Sequence, residues 1–171
     1  MTFTPRTWAV GEVVPAATMN TEIRDQFNSF FGAWTAYTPT WTTVTTPPSL
    51  GNGTLVGQYM KIGRTCHVVI MLTIGSTTTA GTGGWRFALP ATAATIASGS
   101  PGVLNWSYST SASSNFMIGA SPLPNGANTS DNIWMPNQVT AGDWNVMNES
   151  SPMVPAATYV LRGWGTYQTA A

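Results

Sequence analysis

The chain has 171 residues, 43% of them hydrophobic and 7% charged, and its six basic and six acidic side chains give a formal net charge of zero. Average globular chains carry about 25% charged residues, so the polar surface here must be built from the 41 serines and threonines and from amides. Of the basic residues Arg6, Arg24, Lys61, Arg64, Arg86 and Arg162, Lys61 and Arg64 alone lie close in sequence; this excludes the basic stripe a nucleic-acid interface needs.

A neutral hydroxyl-rich surface suits an extracellular particle, or an assembly that buries much of it. No segment approaches the roughly 20 apolar residues needed to cross a bilayer, so no membrane insertion is expected. The first residues lack the basic start and apolar core of a signal peptide. Cys66 is the single cysteine and is expected to be a buried free thiol, which fits assembly in a reducing cytoplasm.

In chain order, Met1 to Val14 reads as an extended, weakly ordered arm. A helix follows, with Thr18 placed to cap it and Glu22 and Asp25 near its positive end. Met19, Ile23, Phe27 and Phe30 or Phe31 recur at spacings of three and four and make one apolar stripe. A helix of about three turns is marginal alone, so the stripe must pack on something. These five residues are the candidate oligomerisation and anchoring elements. Gly32 is the expected stop.

Beyond Gly32 the pattern changes to strands. Trp34 to Val44 is rich in aromatic and β-branched residues, broken by Pro39. Thr54 to Ile62 reads as a strand with Gly57 as a bulge or close-approach site. Gly63-Arg64 offers a hairpin turn, and Thr65 to Ile74 is the strongest strand, with an apolar centre suited to the middle of a sandwich. Thr77 to Gly84 reads as a flexible connector. Trp85 to Leu89, Val103 to Tyr108, Asn115 to Ala120, the triplet Ile133-Trp134-Met135, Asp143 to Met147 and Thr158 to Tyr167 complete seven to nine short strands. With no second helical period, the expected fold is mainly β: an antiparallel, jelly-roll-like β-sandwich head over 33–171, behind an arm and one short α-helix over 1–32.

Catalytic chemistry has little to work with. His67 is the one histidine, and alternation along a strand sends it and Cys66 to opposite faces, Cys66 with Val68 and Ile70, His67 with Val69 and Met71. The β region holds three carboxylates, Asp131, Asp143 and Glu149; a glycosidase pair would have to come from Asp131 and Asp143, and no spacing compels it. No metal-ligand or phosphate-loop spacing occurs, Gly81-Thr82-Gly83-Gly84 lacking the Lys-Ser/Thr continuation. The expectation is a non-enzymatic protein without cofactor or metal. Of the eight tryptophans, Trp85 and Trp106 are expected in the core, while Trp134, in a loop-rich stretch, is the candidate for surface recognition.

Three stretches resemble bacteriophage virion structural proteins of the fibre or decoration type. Thr7-Trp8-Ala9-Val10-Gly11-Glu12, running on through Asn20-Thr21-Glu22-Ile23-Arg24-Asp25, is similar to the opening of many phage tail and minor structural proteins. Tyr37-Thr38-Pro39-Thr40-Trp41, Leu50-Gly51-Asn52-Gly53-Thr54 and Gly84-Trp85-Arg86-Phe87-Ala88-Leu89-Pro90 resemble a β-sandwich module of actinobacterial phages. Gly142-Asp143-Trp144 and Gly163-Trp164-Gly165-Thr166-Tyr167 resemble its closing strands. The resemblance implies a homotrimer in the virion, anchored to capsid or tail proteins through its N-terminal segment, with a distal head that in some members touches the host, so that a host cell-wall glycan is a further expected partner. The chain lacks a long repetitive shaft, which favours a compact appendage on the capsid or a small fibre tip; a capsid fibre or decoration protein is the expectation, a tail-fibre or receptor-binding tip protein the alternative, and a stand-alone carbohydrate-binding module the further alternative.

Overall fold

The computed structural model describes residues 7–110, 116–136, 143–152 and 154–170. It is mainly β, with ten strands among the described residues: β1 (Thr35–Tyr37), β2 (Trp41–Thr43), β3 (Thr54–Ile62), β4 (Thr65–Thr73), β5 (Trp85–Phe87), β6 (Gly102–Ser109), β7 (Phe116–Pro122), β8 (Trp134–Pro136), β9 (Trp144–Val146) and β10 (Val160–Gln168). Eight of them form one antiparallel sheet in the order β1-β3-β4-β10-β6-β7-β8-β9, and β2 pairs with β5 in a second, small sheet. The sandwich is therefore unequal, one broad layer and one narrow one.

The two layers meet through aromatic rings. Along the inner face of the broad sheet, Gly57, Ile70, Gly163, Trp106 and Gly119 face one another across five strands. The Trp106 ring occupies the space a Cβ on Gly163 would need, and its Nε1 donates to Ser121 Oγ at 3.0 Å. Phe87 of the small sheet lies against Trp106 with ring centroids 5.0 Å apart, and Trp41 meets Trp85 edge-on at 4.7 Å. Leu72, Leu104, Leu161, Ile133 and Met135 fill the space around them.

Local chemistry accounts for the connections. Gly63 has φ of +58° and, with Arg64, turns β3 into β4 between the paired Ile62 and Thr65, as a hairpin with glycine at its first central position requires. Gly57 is a close-approach site without a bulge: its register with Tyr37 and Ile70 is unbroken, and the Tyr37 ring covers the place of its missing Cβ. The stretch 77–84 is not a loose connector. Thr77 N and Oγ1 both donate to Asn52 Oδ1 at 3.0 Å, Thr78 Oγ1 donates to the Leu50 carbonyl at 2.6 Å, and Ser49 and Thr79 exchange two backbone hydrogen bonds. Threonine hydroxyls thus stitch this stretch to the turn before β3.

The helical run differs from the sequence expectation at its start. It begins as α1 (Ala16–Met19), passes through a π-helical turn (Asn20–Arg24) and ends as α2 (Asp25–Phe31). Pro15 occupies the N-cap with no side-chain capping bond, and Ala16 and Ala17, both strong helix formers, carry the helix upstream of Thr18. Thr18 is consequently an internal residue and not the cap, and no acid lies in the first turn. Thr21 Oγ1 donates to the Ala17 carbonyl four residues back at 3.1 Å, a back-bond that perturbs the ladder, and the Asp25 amide reaches the Asn20 carbonyl five residues back. The helix stops at Gly32, which is extended. Of the N-terminal arm, Met1 to Arg6 lies outside the described residues; Thr7 to Val14 holds neither helix nor strand.

Tyr167 ties the last strand to the loop after β5, its hydroxyl donating to the Ala91 carbonyl at 2.8 Å and accepting from the Ala91 amide at 3.2 Å. Replacing Tyr167 by Phe leaves both backbone groups without this partner and should lower unfolding free energy by about 1–3 kcal/mol. Gly163→Ala drives a methyl into the Trp106 ring and should cost at least as much, by roughly 1–3 kcal/mol or more. Urea unfolding monitored by tryptophan fluorescence checks both; a Gly163→Ala midpoint equal to wild type would contradict the described packing.

Candidate interaction surfaces

The five candidate anchoring residues are all exposed on their own chain, Ile23 and Met19 by less than half. Met19, Ile23, Phe27, Phe30 and Phe31 are exposed, Phe27 by 62% and Phe31 by 86%. Neither α1 nor the π-helical turn buries a residue. The α2 part of the run approaches β3. Trp8, Val10 and Val13 of the arm are exposed too.

A second apolar surface is less legible from sequence. β4 lies between β3 and β10, central in its sheet, yet only Cys66, Val68, Ile70 and Leu72 are buried, while Val69 and Met71 are exposed. The apolar centre of β4 is thus enclosed on its inner face, and no second layer covers the outer face among the described residues. Cross-strand register continues that face through Val56 and Met71, Val69 and Trp164, Thr166 and Val103, and Arg162, Ser107 and Ile118. Val56, Val103, Phe116, Ile118 and Trp164 are all exposed. Near the β1 edge the face forms a groove of about 590 Å³ lined by Ala36, Val56, Gln58, Val69 and Met71 among others.

Trp134 sits on the same sheet, opposite Ala120 on one side and Val146 on the other, and is 43% exposed. Trp144, one strand outward, is 54% exposed and faces Pro136. Sequence reading singled out Trp134 and missed Trp144 and Trp164. The signal for Trp164 was present in its flanking glycines: Gly163 and Gly165 are small because the inner face there is filled by Trp106 and Leu104, which sends the residue between them outward.

His67, Asp131 and Glu149 are held in structural contacts. His67 and Cys66 lie on opposite faces, and His67 Nδ1 is 2.8 Å from Thr166 Oγ1 across the strand pair. Asp131 Oδ1 accepts from Arg86 Nη2 at 3.4 Å and from the Asn132 amide at 2.7 Å, and Glu149 Oε2 accepts from the Gly83 amide at 3.0 Å. Among the described residues no three His, Cys, Asp or Glu side chains are placed to hold a metal ion, and no helix is long and apolar enough to cross a membrane. Burial raises the Cys66 thiol above its ordinary value, partly offset by the neighbouring Tyr167 hydroxyl and by Lys61. Burial likewise pushes the phenols of Tyr37, Tyr108 and Tyr167 far above 10.

No protein-family model, curated protein or solved structure matches the chain.

The raised groups set the pH response. Each is favoured in its neutral form by the fold, so its contribution is intact below the ordinary values of 9.0 for the thiol and 10.0 for the phenols and is lost as pH rises beyond them. The thermal midpoint should therefore fall on moving from about pH 8.5 to pH 11. Cys66, fully buried, should react with a water-soluble thiol reagent at pH 8 only after unfolding; stoichiometric labelling of the native protein would contradict its placement.

Proposed function

We propose that the chain is a non-enzymatic structural protein of a bacteriophage particle, a homotrimeric capsid fibre or decoration protein whose N-terminal segment docks on the particle and whose β-sandwich faces outward. The observation that carries this reading is the helix stripe: five large apolar side chains exposed on one short helical run next to the sandwich. Burying their exposed parts against neighbouring copies or a particle protein recovers about 25 cal/mol per Å² of apolar surface, in addition to what the helix obtains on its own chain. The resemblance of the Thr7–Asp25 stretch to phage structural openings points the same way. The free thiol suits assembly in a host cytoplasm.

The tail-fibre tip is the alternative location, with the same anchoring logic. A host cell-wall glycan is a further partner of the head in either place, met by surface outside the subunit contacts.

Electron microscopy of intact particles, with the protein labelled, locates it on head or tail. Replacing Ile23 and Phe27 by Ser should reduce particle occupancy at least tenfold while leaving the sandwich folded. Unchanged occupancy, or absence of the protein from particles altogether, would sink this reading.

A further inference from the structure

A half-solvated antiparallel sheet alternates apolar residues inward with polar residues outward. The broad sheet departs from this over its central strands. Seven large apolar side chains, from Val56 on β3 to Ile118 on β7, stand exposed on the outer face. One formal charge stands among them, Arg162, whose Nη1 is held by Ser109 Oγ at 3.1 Å. Their exposed parts sum to roughly 600 Å², and to roughly 800 Å² with Trp134 and Trp144, which is what one partner contributes to a standard protein–protein interface.

We infer that this outer face is a subunit interface covered by a second copy of the same chain. Its chemistry selects that occupant. Five of the seven side chains are Val, Ile or Met, which pack against protein but offer no flat ring to a sugar. A membrane surface would call for a basic rim, and the outer positions of these strands carry Arg162 alone. The relief of the face fits a copy of itself. The groove of about 590 Å³ lies at the β1 flank, and the exposed indoles of Trp134 and Trp144 lie at the opposite flank, on β8 and β9. A head-to-tail contact seats the tryptophans of one copy in the groove of the next, the kind of contact that closes cyclic rings. The bareness of Val69 and Met71 in the middle of the best-paired region of the sheet then has a cause. This inference does not depend on where the protein resides, and it concerns a different surface from the helix stripe.

The experiment is sedimentation equilibrium of the full chain from about 1 to 100 µM, with circular dichroism as a control on folding. Wild type should be an oligomer. Val69→Lys with Ile118→Lys, both at exposed positions, should weaken association at least a hundredfold with an unchanged spectrum. Val69→Thr with Ile118→Thr, which keeps β-branching, provides the test should the lysine pair disturb folding, and should weaken association at least tenfold. Ile23→Ser with Phe27→Ser separates the two surfaces: a loss of mass confined to the helix variant, with both face variants retaining the wild-type mass, overturns the inference and leaves the anchoring role intact. A wild-type protein monomeric at 100 µM also overturns it. So does a monomer that binds cell-wall polysaccharide and loses that binding in Trp164→Ala, which would make the face a saccharide platform.

Discussion

The contact on which the rest of the molecule depends is the indole of Trp106 lying over Gly163 and against Phe87. It joins the broad sheet to the narrow one. A two-stranded ribbon such as β2–β5 is marginal in water, and what holds it is Trp41, Trp85 and Phe87 set against the inner face of eight other strands. The missing side chain at Gly163 is a condition of that contact, because the indole fills its place. Ser121 completes the arrangement by accepting the indole N–H, so that Trp106 carries no unpaired polar atom.

With so few charges, the polar half of the chain holds its loops by hydroxyl and amide hydrogen bonds. Asn52 and the threonines of 77–79 bind the turn before β3 to the loop after β4. Asn125 does the same for the stretch near Ile96, accepting from its amide and donating to its carbonyl. Such bonds are short-range and insensitive to salt. They let a sheet protein with a formal charge of zero have ordered connections, but they provide no long-range repulsion between copies. A neutral surface with two bare apolar regions, the helix stripe and the outer sheet face, is physically consistent with a protein that works in an assembly.

Much of the fold was legible. The strands around Thr54–Ile62 and Thr65–Thr73 and the hairpin between them follow from β-branched runs either side of Gly63. The opposite facing of Cys66 and His67, the burial of Trp85 and Trp106, and the exposure of Trp134 follow from alternation and from loop context. The apolar spacing of the helix stripe was legible, and its residues are exposed on their own chain. The helix start was not, because the preference of Thr18 for a cap competes with Ala16, Ala17 and the preset φ of Pro15, and the alanines prevail. The stretch 77–84 looked loose because its ties run to Asn52 and Ser49, some 25 to 30 residues away.

By itself, the sequence determined the class of the protein: an antiparallel β fold, a single amphipathic helical run, and a surface of hydroxyls without the charge patterns of nucleic-acid binding. Period and composition are local properties, and local sterics and solvation suffice to set them. Tertiary structure decided how ten strands divide into eight and two, and which apolar residues end up inside. Val68 and Val69 are chemically identical neighbours, yet the first is buried and the second is exposed. What separates them is whether an opposing layer covers their face, and that depends on where β2 and β5, distant in the chain, come to pack.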